Sequence, residues 1–154
     1  MPENNIKIVG LSDTNTYATH YAKSLGLPII PPDEIYNVEC DIFMPCALGG
    51  VLNKDTIPKL RCTFVAGCAN NQLSKESDAG LLGEHNITYL PDFIINAGGL
   101  IEAGHALSIY SHEEMLQRIN NIPHTMQDIL NEALDQRVST HKMATQYAEK
   151  QLKR

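Results

Sequence analysis

Three short runs, Asp41-Ile42-Phe43-Met44, Thr63-Phe64-Val65-Ala66-Gly67 and Ile87-Thr88-Tyr89-Leu90, carry largely apolar side chains at successive rather than alternating positions. Continuous apolar strands suit a parallel sheet covered on both faces, whereas a sheet with one wet face is written by alternation. The first run stops at Pro45, where a central strand cannot continue. A fourth strand is expected over Ile6-Lys7-Ile8-Val9-Gly10, and a brief extended piece over residues 27–32. Between these two, Asn15 to Leu25 places Tyr17, Tyr21 and Leu25 at intervals of four before Gly26, the pattern of a helix and its stop. Asp33 to Tyr36 suits a single helical turn.

Beyond Leu90 the pattern changes. Ala97 to Ser108 is expected as one helix. From Glu113 to Leu134, the residues Leu116, Ile119, Ile122, Met126, Ile129, Leu130 and Ala133 form an amphipathic stripe, which Pro123 should kink or split near Ile122. Ser139 can cap a last helix over Lys142 to Leu152, whose basic end KQLKR favours a helix C-terminus. Strands alternating with helices, then helices alone, define an α/β class: a shortened parallel sheet flanked by helices, with a helical C-terminal tail over about 109–154 and a single domain over 1–154.

Bulk properties narrow the function classes. A formal net charge of −6 argues against nonspecific nucleic-acid binding, which needs a basic footprint. The start, MPENNIKIVG, lacks the basic and long apolar regions of a signal peptide, and no run reaches the roughly 20 apolar residues of a membrane helix, so a cytoplasmic protein without membrane partners is expected. Cys40 and Cys46, and again Cys62 and Cys68, bracket the first two strands in a CxxxxxC spacing that suits buried reduced thiols better than zinc ligands. His20, His85, His105, His112, His124 and His141 are scattered and form no HExxH pattern, so no metal site is expected. His112-Glu113-Glu114 fits the electrostatics of a helix start. No catalytic residue is assigned.

The turns after the three strands are where a ligand should sit, because parallel α/β sheets bind outside the carboxyl ends of their strands. Pro45-Cys46-Ala47-Leu48-Gly49-Gly50 is built of small residues that let a ligand reach main-chain N–H groups, or it is a plain strand-to-helix turn. Asn70 and Asn71, in Gly67-Cys68-Ala69-Asn70-Asn71-Gln72, offer amide donors and acceptors suited to a carboxamide or ribose, or to capping a helix. Asn96-Ala97-Gly98-Gly99 pairs a polar side chain with two positions of close backbone approach. All three turns are expected at one rim of the sheet, forming a slot for a flat ring.

Together, ECDIFMPCALGGVLN, TIPKLRCTFVAGCANNQL and ITYLPDFIINAGGLI closely resemble consecutive blocks of the glutamate/leucine/phenylalanine/valine dehydrogenases, from about Gly26 to the end of the chain. PPDEIYNVECDIF and RVSTHKMATQYAEKQL bring the leucine dehydrogenases nearest. The resemblance implies the C-terminal, NAD-binding, Rossmann-like domain of an enzyme that oxidatively deaminates an L-amino acid to a 2-oxo acid. It implies that Cys46, Ala47, Leu48 and Gly49 line the nucleotide cleft, and that Asn70, Asn71 and Asn96 lie by the nicotinamide and its ribose. Gly98, Gly99, Leu100 and Ala103 would then shape the substrate pocket, where apolar residues suit a hydrophobic amino acid.

Two departures accompany the resemblance. The family's substrate domain, with its catalytic lysines and aspartate, has no counterpart among these residues, so a separate chain or a homo-oligomer is the expected partner. The Rossmann G-x-G-x-x-G loop is not present intact either. In one register IKIVGLS is the family's second strand, Ser12 falls where a ribose-binding Asp is expected, and Asp13 follows. In the other, Gly10-Leu11-Ser12-Asp13-Thr14-Asn15 replaces the loop, keeping only the first glycine. Either register weakens NAD binding. A direct pairing of Ile6–Gly10 with Asp41–Met44 is expected, and a non-catalytic module for a small molecule or protein is the alternative function.

Overall fold

A computed structural model describes residues 6–153. It is an α/β structure: a small open parallel sheet of three strands, β1 (Ile42–Phe43), β2 (Phe64–Val65) and β3 (Thr88–Tyr89), in the order β1-β2-β3, flanked by helices. The helices are α1 (Thr16–Ser24), α2 (Asp78–Glu84), α3 (Asp92–Ile95), α4 (Gly98–Ala106), α5 (His112–Gln136) and α6 (Thr140–Leu152), with 3-10 turns at Ile35–Asn37 and Ile57–Lys59. Ile42 pairs with Phe64 and Phe64 with Thr88; Phe43, Val65 and Tyr89 form the next row.

Coverage of the sheet departs from expectation. Val65 and Tyr89 face a core of Leu52, Ile57, Leu82 and Ile87, with Phe43 packed against it. The opposite row is open: Ile42 is 49% and Phe64 39% exposed. Ile42 and Phe64 are apolar, so the sequence offers a second surface for cover, which the described residues leave partly bare. A second core, Met126, Ile129, Ala133, Met143 and Ala144, joins α5 to α6 and meets the end of β3 through Leu90, Ile94 and Ile95.

The first segment also differs. Ile6–Gly10 is not a strand and does not pair with β1; instead Leu11 makes a parallel bridge to Ile29, donating to the Pro28 carbonyl and accepting from the Ile30 N–H, both at 2.9 Å. The physical reason is locality. The crossover through α1 returns the chain directly beside Leu11, and a short closure costs less entropy than a long one. Gly10 settles against Ile30, Ile35 and Val38; a β-carbon there would lie 3.1 Å from Ile30 Cγ1. The outer edge of β1 is therefore without a strand partner among the described residues.

Most helices lie where their sequence signals place them. Asn15 caps α1, its side chain accepting from the Tyr17 and Ala18 N–H groups, and Gly26 follows with φ +75°. Ser139 caps α6, which begins at Thr140, two residues before the expected start; Arg154 at the basic end lies outside the described residues. Pro123 does not split α5, which runs unbroken for 25 residues. Its exposed ring removes one donor, and packing by α3, α4 and α6 along the rest of the helix outweighs that loss. The buried stripe also starts one residue earlier: Met115 is buried and Leu116 exposed, which restores a regular three-four spacing through Ile119, Ile122, Met126, Ile129 and Ala133.

Candidate functional site

The turns after β1 and β2 are stacked copies of one path. Glu39 bridges Arg61, Ile42 pairs with Phe64, and Leu52 bridges Leu73, all in parallel. Between these points Ala69 N–H donates to the Pro45 carbonyl at 2.9 Å and Gly50 N–H to the Asn71 carbonyl at 2.7 Å. Two glycines are required by this stacking. A β-carbon on Gly49 would lie 2.8 Å from the Asn70 carbonyl oxygen, and one on Gly67 only 2.0 Å from that of Pro45. Gly49 is thus explained by contact between turns.

The third turn is tied to the second. Asn96 donates from Nδ2 to the Cys68 carbonyl at 2.7 Å and to Asn70 Oδ1 at 2.9 Å. Asp92, buried at the start of α3, accepts from the Asn71 N–H at 2.8 Å through one oxygen and from the Tyr89 hydroxyl through the other. That bond holds Asn71 at φ +52°, a left-handed conformation that asparagine tolerates better than most residues. Burial first, then the bond to Asp92, pushes the Tyr89 phenol well above its ordinary range, so it donates throughout neutral pH. Beneath the second turn the buried Gln72 donates from Nε2 to the carbonyls of Gly67 and Ala69.

The three turns therefore converge at the C-terminal rim of the sheet. They form an open shelf rather than a slot: Cys46, Ala47, Leu48, Gly49, Asn70 and Asn71 are all exposed. Gly98 and Gly99 begin α4 beside this shelf, and a β-carbon on either would meet nothing within 4 Å. Packing does not require them to be glycine. Leu100, 79% exposed, and Ala103 lie one turn apart on α4 and are free to meet a ligand. Gly10, Ser12 and Asp13 stand apart: no hydrogen bond among the described residues joins them to the turns, and Asp13 accepts from the Asn15 N–H. A hollow of about 620 Å³ lies elsewhere, at the opposite end of β1 and β2, lined in part by Val9, Cys40, Asp41 and Cys62.

Asp92, Tyr89 and Gln72 were missed in the sequence. The readable signal was a charged residue inside the apolar stretch Leu90-Pro91-Asp92-Phe93-Ile94-Ile95, since a buried carboxylate is kept only where donors surround it. The cysteines are corrected: Cys46 and Cys68 are exposed and Cys40 and Cys62 half-buried, because all four lie beyond the ends of the paired strand residues. Cys62 is pushed up to about 11, by burial first and the neighbouring Cys40 second. No group of three or more metal-ligating side chains occurs among the described residues, and no helix there is long and apolar enough to cross a membrane.

In parallel α/β sheets ligands bind beyond the strand C-termini, where these three turns lie. The chain belongs to the Glutamate/Leucine/Phenylalanine/Valine dehydrogenase family, whose sequence profile matches residues 3–154. It is similar to the leucine dehydrogenase of Bacillus cereus, 37% identical over 143 residues, covering 92% of this chain and 39% of that protein. It is also similar to the L-tryptophan dehydrogenase of Nostoc punctiforme, 40% identical over 149 residues, 96% of this chain and 42% of that one. The crystal structure of L-tryptophan dehydrogenase from Nostoc punctiforme superposes with a TM-score of 0.84 at 40% identity over 92% of this chain and 43% of that chain. A hetero-hexameric glutamate dehydrogenase from Thermus thermophilus, 22% identical with a TM-score of 0.58 over 83% of this chain and 33% of that one, shares the fold. The chain spans about two fifths of the length of the relatives it matches.

Proposed function

We propose that these residues form, as one Rossmann-like unit with a helical tail over about 109–154, the nicotinamide- and substrate-facing part of an amino-acid dehydrogenase. The reaction is the NAD-dependent oxidative deamination of a hydrophobic L-amino acid to its 2-oxo acid. The observation that carries this reading is the joining of the Cys46–Gly49, Asn70–Asn71 and Asn96–Gly99 turns at one rim through Gly49, Asp92 and Asn96.

The donor chemistry suits the nicotinamide end of NAD, which when bound would accept the hydride. Asn70 and Asn71 offer exposed amides to a carboxamide or ribose. Gly98 and Gly99 leave the start of α4 uncovered, and Leu100 and Ala103 offer apolar surface to a substrate side chain. The diphosphate end does not fit residues 10–15. Gly10 is packed against Ile30, Asp13 is spent on Asn15, and a carboxylate there repels a phosphate. The Leu11–Ile29 bridge supports the register in which the phosphate loop lies outside these residues and Ser12 and Asp13 stand at the ribose. The open row of the sheet and the bare edge of β1 support a partner, either polypeptide beyond this segment or another chain, that also brings the proton-transferring lysines. A homo-oligomer fits the same surface.

The misfit of residues 10–15 with a diphosphate favours one second reading, a non-catalytic ligand- or protein-binding module. A chimera separates the two: the part of the Nostoc punctiforme L-tryptophan dehydrogenase that this chain does not match is fused to it and assayed with NAD and leucine, phenylalanine or tryptophan. NADH production together with an NAD-dependent rise in Tm is expected. A rise in Tm without turnover supports the module. A folded chimera that shows no rise in Tm and no turnover overturns the dehydrogenase reading.

A further inference from the structure

Cys46 and Cys68 occupy equivalent places on the two stacked segments. Cys46 and Cys68 each lie three residues past the paired Phe43 and Val65, and their chain neighbours Pro45 and Ala69 are joined across the two segments. Adjacent strands run about 4.8 Å apart, inside the window of about 4.4–6.8 Å between α-carbons that a disulfide spans. The backbones are drawn together here: Ala69 N–H reaches the Pro45 carbonyl at 2.9 Å, and the space for a side chain on Gly67 is filled by Pro45. Both thiols are free and exposed. The Cys68 S–H donates towards its neighbour Cys46, which is the leading cause that raises the Cys68 thiol.

We propose that Cys46 and Cys68 form a redox modification site, closing to an intrachain disulfide by exchange with a small-molecule disulfide such as oxidised glutathione. One protein thiolate attacks a sulfur of the reagent, forming a mixed disulfide and releasing one thiolate. The second protein thiolate then attacks the protein-bound sulfur and expels the other reagent thiolate. Two protein thiols are oxidised, one disulfide is reduced to two thiols, and the two protons pass to the departing sulfurs. Cys40 and Cys62 share the same register at the other end of the ladder but are half-buried, which limits the access of a reagent sulfur to them. Exposure selects the first pair. The bond ties the first two turns of the shelf covalently, and the assignment is independent of the dehydrogenase reading.

The test is intact mass and fragment mapping of the reduced full chain after incubation with oxidised glutathione. The expected product has lost two hydrogens, regains them with dithiothreitol, and maps to a Cys46–Cys68 link. The Cys68→Ser variant, which keeps Cys40 and Cys62, is expected to carry one glutathione on Cys46 and no internal link. Separate glutathione adducts on Cys46 and Cys68 in the unmodified sequence, or a link between Cys40 and Cys62, overturn the proposal.

Discussion

Replacing Asp92 tests whether the shelf is a built structure or a chance meeting of loops. Its carboxylate is buried and receives two hydrogen bonds, from the Asn71 N–H at 2.8 Å and from the Tyr89 hydroxyl. Hydrogen bonds to a charged group contribute about 1.5–3 kcal/mol each, and a buried donor left without a partner costs more than the bond alone. Water can reach the exposed Asn71 and offset part of the loss, so Asp92→Ala is expected to cost about 3 kcal/mol. In a chain of this size that is a fall in Tm of about 6–12 °C. Asp92→Asn keeps the shape but offers one acceptor to two donors, and its own NH2 confronts the other donor; about 2 kcal/mol is expected. Tyr89→Phe removes one donor, at about 1.5 kcal/mol. Combined with Asp92→Asn it should cost less than the two changes separately by about 1 kcal/mol, because the remaining amide oxygen then serves Asn71 alone. Urea denaturation of the four variants measures this. Strict additivity, or both Asp92 variants within about 0.5 kcal/mol of the parent, would refute the network.

Gly98→Ala and Gly99→Ala place a methyl in open space on a helix, so stability should rise by about 0.5–1 kcal/mol; NAD binding by the chimera should weaken if the shelf takes the nicotinamide, and thermal shifts read both effects. Gly67→Ala drives a β-carbon to 2.0 Å from the Pro45 carbonyl oxygen, and a loss of about 3 kcal/mol or more is expected on denaturation. Ser111→Ala deletes the capping-box acceptor of α5 and should cost about 1 kcal/mol. The Glu114 carboxyl is held below its usual range, chiefly by the Ser111 N–H, so its contribution is complete above the unfolded value and fades as pH falls through the folded one. Glu114→Gln should flatten the pH–stability curve below about pH 4.3. Ile129→Ala opens the α5–α6 core, where Ile129 is 1% exposed, and should cost about 3 kcal/mol by calorimetry.

The three sheet strands were legible because each is a closed apolar run with its stop beside it, α1 because Tyr17, Tyr21 and Leu25 recur at helical spacing before Gly26, and α6 because Ser139 caps it through a side chain that sequence displays. Ile6–Gly10 was misread for the opposite reason. Its composition is that of a strand, but strandhood depends on a partner, and its apolar residues remain exposed at Ile6, Ile8 and Val9. Pro123 misled because local propensity was weighed without the helices that clamp α5. The shelf was legible in its parts and not in its fastening. Gly49 looked like room for a ligand and is room for a neighbouring backbone, while Gly98 and Gly99, read the same way, do leave space. Asp92 does its work across a sequence distance that no local pattern encodes.

The doubled path of residues 39–52 and 61–73 has a consequence for how such a chain can vary. Leu52 answers Leu73 one residue short of the register that holds at Ile42 and Phe64, so the turn after β2 is shorter than the turn after β1 by a single position. An insertion in either turn would slide one storey over the other, turning Leu52 or Leu73 out of the interior and pulling Gly67 off Pro45. Length changes are tolerable here only in matched pairs. The segment should therefore accept many point substitutions over time while keeping its spacing almost rigid.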